Sequence, residues 1–184
     1  VAGAVVPVIA VHASAPTSIL AEQHYQSVQK LLTDLPGIDL GADGERPLIG
    51  TFGHIGSEHC IAMILDVLAD IAADHEFVFV AVGSAESELA RLPAVRRLGQ
   101  RVRWTGRVSD LDFGALMRAT DIAVNLRYPT ARASSGVQQQ LLQLGTPMVI
   151  HDLVHLRDIP AGAVQRVPTE TADGEEAALR AALI

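Results

Sequence analysis

The residues with the most chemistry to offer lie between Arg127 and Gly136, in the stretch RYPTARASSG. An apolar run, DIAVNL, leads into it and an amphipathic run, SSGVQQQLLQL, leads out, so the pattern is strand, polar loop, helix. Ser134, Ser135 and Gly136 then fall where the first N–H groups of a helix have no intrahelical partner. Those donors and the helix dipole favour an anion, and Arg127 adds a planar fork suited to phosphate oxygens. The chemistry indicated is a phosphate site. Ser134 capping its own helix accounts for the same residues, and spacing alone leaves the two readings level.

Other side chains offer less. His54 follows Gly53 in a loop and could touch a ligand there, although a lone loop histidine is more often simply solvated. His151 and His155 flank Asp152, a set that suggests metal ligation. Histidines four apart converge only on a continuous helix, and Asp152 reads as the end of a strand, so no metal site is expected. The chain has no Gly-x-Ser-x-Gly elbow and no Gly-x-Gly-x-x-Gly fingerprint, which leaves hydrolase and dinucleotide oxidoreductase readings without support. Arg96, Arg97, Arg101, Arg103 and Arg107 cluster in sequence, and the polar flanks of a strand explain them better than a phosphate patch does. Cys60 is the only cysteine, so no intramolecular disulfide can form. It falls within an apolar helical pattern and reads as a small core residue.

These groups need elements to hold them. The 184 residues suffice for one domain with a sizeable core and a short appendage. Apolar residues make up 49%, charged residues 19% and aromatics 4%, a balance that suits a buried parallel sheet under helices. The net charge of −7 and the lack of a long basic stretch exclude a general nucleic-acid or anionic-membrane binder. No apolar run approaches the roughly 18 residues that would span a bilayer.

From Leu48 onward, strands and helices alternate. LIGTFG, EFVFVAVG, RVRWTG, DIAVNL, TPMVIHD and GAVQRV read as strands. SEHCIAMILDVLADIAADH reads as a helix capped by Ser57 and Glu58. AESELARLPAVRRLG follows as a helical run interrupted at Pro93, and SDLDFGALMRATD as a helix capped by Ser109, with Leu111, Phe113, Leu116 and Met117 facing inward. SSGVQQQLLQLG and ETADGEEAALRAALI supply the last two helices. The fold class expected is α/β: a Rossmann-like, doubly wound parallel sheet of about six strands with helices on both faces. Ligands in such sheets bind beyond the carboxyl ends of the strands. That selects the loops Gly53–Ser57, Gly83–Glu86, Gly106–Ser109, Arg127–Ser135 and His151–His155.

Residues 1–46 are less regular. Val5–Val11 suggests a strand and Pro16–Leu32 a helix, followed by a Gly-, Pro- and Asp-rich linker. The opening VAGAVVPVIAVHASA reads as a buried strand rather than a secretory signal, since it has no basic segment and Pro7 interrupts it. A start on Val suggests a piece of a longer protein.

LIGTFGHIG…ILDVLADI, FVFVAVG, VRWTGRVSDLDFGALMRATDIAVNLRYPT and LLQLGTPMVIHDLVHLRDIP stand in a recognisable order and spacing. The set resembles the C-terminal domain of GT-B glycosyltransferases of the retaining, family 4 or group 1 type, over about Pro47 to Pro168. The resemblance implies that 47–184 is a nucleotide-sugar-binding domain. It also implies that 1–46 is the remnant of an acceptor-binding N-terminal domain of the same protein plus the interdomain linker. The donor-binding residues implied are Gly53, His54, His59, Arg127, Ser134, Ser135, Gly136 and Gln140, with no metal and no cofactor beyond the nucleotide-diphosphate sugar itself. Relatives with this loop carry Gly-Glu-x-Ser where Arg132-Ala133-Ser134-Ser135 stands here. Gln140 falls at the position of the acidic ribose ligand, and His59-Cys60 where Lys followed by Gly or Arg is usual. The function implied is transfer of a hexose-type sugar from a nucleotide sugar to an acceptor, in the cytoplasm and at the inner membrane surface in the full-length protein. The lost acidic and basic residues keep a non-catalytic module for assembly or regulation as the alternative. A fold-related sugar-nucleotide epimerase would carry more acidic and histidine loop residues. The apolar face next to residues 1–46 would also suit a homodimer contact.

Overall fold

Each apolar run that ends in glycine or a short polar loop becomes a parallel strand. The computed structural model describes residues 46–128, 135–169 and 171–184, so the strand and helix expected before residue 46 lie outside the described residues. The strands are β1 (Leu48–Phe52), β2 (Val78–Val82), β3 (Val102–Gly106), β4 (Ile122–Asn125), β5 (Met148–His151) and β6 (Val164–Val167). They form one six-stranded sheet in the order β3-β2-β1-β4-β5-β6. Every pairing is parallel, including Phe79 with Val102 between β2 and β3. The expected doubly wound sheet is therefore the observed one, and its winding direction reverses between β1 and β4.

The helices are α1 (Ile61–Ile71), α2 (Pro93–Leu98), α3 (Asp110–Ala119), α4 (Gly136–Leu144) and α5 (Ala172–Leu183). Strand alternation divides the core between two faces. Ile49, Phe79 and Val149 pack on one side with Ile64, Leu65 and Leu68 of α1, Leu98 of α2 and Leu179 of α5. Phe52, Val80 and Ile150 pack on the other with Leu116 and Met117 of α3 and Leu141 of α4. Both faces of the central strands are thus withdrawn from water, which is why β1 and β2 read as unbroken apolar runs.

The helix starts follow side-chain caps where Ser or Thr stands outside the first turn. Ser109, Ser135 and Thr171 accept from the N–H groups of Asp112, Gln138 and Gly174. The expected cap at Ser57 and Glu58 is corrected. Residues Ser57–His59 form a 3-10 turn, and α1 begins only at Ile61, after Cys60 in a left-handed conformation with φ 51° and no side-chain cap. The inward placement of Leu111 is corrected too: it lies at the first turn of α3 and is 86% exposed. Asp121 locks the start of β4 to β1, its carboxylate accepting from the Leu48 N–H at 2.7 Å while its own N–H donates to the Leu48 carbonyl at 2.9 Å.

Two arginines of the run, Arg97 and Arg101, form structural pairs. Arg97 of α2 and Arg180 of α5 both donate to Asp70 of α1 at 2.7 Å. Arg101 reaches Glu76 at 2.8 Å and also the Ala72 carbonyl. Arg107 instead lines the cleft described next.

Candidate functional site

The carboxyl ends of β1, β2 and β3 open onto a cleft of about 750 Å³. Two glycines make its floor. The Gly53 N–H donates to the Val82 carbonyl at 2.9 Å, which draws the loop after β1 against the end of β2. Gly83 has φ +128°, and a Cβ there would stand 2.0 Å from the Gly53 carbonyl oxygen. Only glycine allows that approach. His54 then reaches across to β2, with Nδ1 and the Ser84 Oγ 3.0 Å apart.

Opposite this floor, Phe113 and Met117 of α3 and Leu144 of α4 form an apolar wall, with Arg107, Asp110, Gln140 and Gln143 as polar groups around it. Gly53, His54 and Gln140 of the expected site therefore share one cleft. Arg107 was named in the sequence only within an arginine cluster read as strand flanks, and Ser84, Asp110 and Gln143 were not singled out. The loops of Arg107 and Ser84 were, but nothing in the spacing separates a cleft-facing Arg107 from the paired Arg97 and Arg101.

A second group sits at the ends of β4 and α4. Gly136 is the first residue of α4, Ser135 its N-cap, and Ser134 lies outside the described residues. The Ser135 hydroxyl accepts from the Gln138 N–H at 3.4 Å and is buried, so capping is its observed role. Gly136 is exposed, and no atom of the described residues stands within 4 Å of where its Cβ would be.

His59 differs most from expectation. Its residue is 1% exposed, with Nε2 accepting from Arg127 Nη2 at 3.1 Å. Burial first, then the Arg127 guanidinium, holds its imidazole below the ordinary histidine value. It is thus an inward partner of Arg127, held toward the neutral form. Arg127 Nε has no hydrogen-bond partner among the described residues, nor do the side-chain amide atoms of Asn125, which is 2% exposed at the end of β4. Buried groups left this way are uncommon. His151 is buried and His155 exposed, so they do not converge as a metal pair.

The fold and cleft define a Rossmann-like α/β domain with its ligand face at the switch point of the sheet. A family described as "Glycosyl transferases group 1" matches residues 46–184, and the chain belongs to it. A search of the curated proteins returned no match. Among solved structures it is similar to WaaG, a glycosyltransferase involved in lipopolysaccharide biosynthesis, with TM-score 0.62 and 17% identity over 85% of this chain and 42% of that one. It is also similar to HepE from Anabaena, solved in complex with UDP and glucose, with TM-score 0.60 and 19% identity over 83% of this chain and 40% of that one. A third is the C-terminal domain of the group 1 family protein LpcC from Francisella tularensis, with TM-score 0.58 and 15% identity over 77% of this chain and 83% of that domain. The chain spans less than half the length of WaaG and HepE. No helix among the described residues is long and apolar enough to cross a membrane.

Proposed function

We propose that this chain is the nucleotide-sugar-binding half of a retaining glycosyltransferase that moves a hexose-type sugar to an acceptor. The observation that carries the reading is the cleft of about 750 Å³ at the carboxyl ends of β1, β2 and β3, with Gly53, His54 and Gln140 around it. Ligand pockets for small molecules are of this size and of this mixed lining. HepE, of the same fold, was solved with UDP and glucose, which makes a uridine diphosphate sugar the first donor to test.

On this reading Gln140 hydrogen-bonds the ribose hydroxyls, and the loop after Gly53 faces the diphosphate. The N-terminus of α4 at Ser134–Gly136 and the Arg127 guanidinium receive the leaving phosphate oxygens. When the bond from the anomeric carbon to phosphate breaks, the electron pair stays on that oxygen, and fixed donors stabilise the charge as it develops. The acceptor hydroxyl forms the new bond to the anomeric carbon and gives its proton to the leaving phosphate oxygen. No metal is assigned to the leaving group, because helix dipole and guanidinium supply the positive field. The acceptor side belongs to an N-terminal domain of the same protein, which works in the cytoplasm at the inner membrane surface.

Two features favour the second reading, a non-catalytic module for assembly or regulation. Gln140 brings no charge to the ribose, and His59 is neutral and turned inward. Calorimetric titration of the chain with UDP, ADP and GDP tests donor binding, and nucleotide release from the matching sugar by the full-length protein tests transfer. Binding of one nucleotide with release supports the enzyme. Binding without release supports the module, and no binding of any nucleotide overturns both donor-site assignments.

A further inference from the structure

We propose that Cys60, His151 and Glu175 form a Zn²⁺ site, separate from the cleft. They come from three distant segments: the residue before α1, the end of β5 and the first turn of α5. Each offers one ligand atom, and these atoms lie within 4.8 Å of one another, the one such group of Cys, His and carboxylate among the described residues. A thiolate, an imidazole and a carboxylate are the donor set of a borderline-soft divalent ion, whereas Mg²⁺ or Ca²⁺ would call for oxygen alone.

The surroundings of His151 suit a ligand. Its Nδ1 lies 3.0 Å from the Arg127 carbonyl and 3.2 Å from the Arg127 N–H, so either tautomer finds a backbone partner. Nε2 stands 2.6 Å from Glu175 Oε1, a contact that a ring proton fills in the free protein and that an ion would take over once that proton sits on Nδ1 and is donated to the Arg127 carbonyl. A ring nitrogen bound to a backbone carbonyl is also the usual outer support of a metal-bound histidine. A tetrahedral ion needs its N and O ligands a little over ~3 Å apart, so the Glu175 carboxylate must swing outward slightly. Its side chain is 17% exposed, which leaves both room to turn and a path for the ion.

Charge closes as well. Zn²⁺ with one thiolate, one carboxylate and a neutral imidazole sums to zero in a half-buried place, and the thiol proton leaves to solvent on binding. The left-handed backbone of Cys60, φ 51°, is a conformation that a glycine would hold with less strain, so its side chain needs a reason to be there.

The test is titration of the full 184-residue chain with Zn²⁺ and, as a spectroscopic probe, Co²⁺. Because Cys60 is the only cysteine, a thiolate-to-cobalt charge-transfer band can arise nowhere else. We expect one equivalent of each ion, the band, and release of a proton. Cys60→Gly, which suits the left-handed backbone, should remove the band and weaken Zn²⁺ binding more than about 100-fold, beyond the loss typical of outer-shell changes. Glu175→Gln should weaken binding while keeping the band. No band in the unaltered chain, or Zn²⁺ binding as tight in Cys60→Gly, would overturn the site and leave only surface histidines as ligands.

Discussion

Arg127 Nη2 donates to Nε2 of His59 across 3.1 Å, joining the loop after β4 to the turn before α1. The contact fixes the imidazole. Nε2 accepts from Arg127, and Nδ1 lies 3.4 Å from both the Gly56 N–H and Glu58 Oε1. His59 therefore orients the guanidinium.

The first prediction is a pH dependence of stability. Burial and Arg127 depress the folded-state pKa of His59 below its ordinary 6.5, so the unfolded chain takes up this proton more readily than the folded one. Stability from this group is complete above 6.5 and is lost as pH falls through 6.5 toward the folded value. The thermal midpoint should drop more steeply between about pH 7.5 and about pH 5 in the unaltered protein than in His59→Gln, which cannot be protonated. Parallel slopes would mean that another group governs the acid side.

A second prediction concerns coupling. If Arg127 meets a diphosphate and His59 only positions it, Arg127→Ala should weaken nucleoside diphosphate binding by on the order of 10- to 100-fold, the worth of a charged hydrogen bond. His59→Ala should cost less, and the double variant no more than Arg127→Ala alone. Additive losses in calorimetry would instead give His59 its own contact with the ligand.

Much of this molecule was legible because burial on both faces leaves a plain trace. VFVAV and MVIH could only be covered strands, and Gly53 and Gly83 marked the strand ends that bound the cleft. What escaped were placements that depend on distant partners. His59 read as part of the helix after the first loop, and nothing local announces that Arg127, from another crossover, will face it in a buried turn. Cys60 packs against the core, as its apolar neighbours suggested, but the left-handed break there that delays α1 to Ile61 leaves no trace in the sequence. Leu111 kept the helical period too, yet it falls on the open first turn of α3. Glu175 was one acidic residue among several at the start of α5, and only the fold brings it to His151.

The third prediction separates two glycines. Gly83→Ala puts a methyl 2.0 Å from the Gly53 carbonyl at φ +128°, and neither backbone can move without breaking the cleft floor. It should cost about 3 kcal/mol or more, the scale of combined backbone strain and overpacking. Gly106→Ala has φ +65° with nothing within 4 Å, so about 1–2 kcal/mol is expected from the left-handed backbone alone. Urea denaturation of both variants checks the order. Equal losses would mean that the close approach of Gly83 to Gly53 carries no special weight.

The last prediction asks whether the start of α4 is a ligand site or only a capped helix. Gly136 is exposed at the first helical position, with nothing among the described residues within 4 Å of its missing Cβ. Gly136→Ala meets no clash with any of them, and alanine is the better helix former by up to about 1 kcal/mol. Stability should hold or rise slightly. A phosphate drawn to the free N–H groups of that turn would meet the new methyl, and nucleoside diphosphate affinity should fall about 10-fold, equivalent to about 1.4 kcal/mol. Gln139→Ala, on the same helix and also exposed, serves as the control that leaves affinity alone. Stability and affinity should therefore move in opposite directions in Gly136→Ala. If affinity is unchanged while stability rises, Ser135 and Gly136 serve the helix alone, and the diphosphate belongs with Arg107 in the cleft.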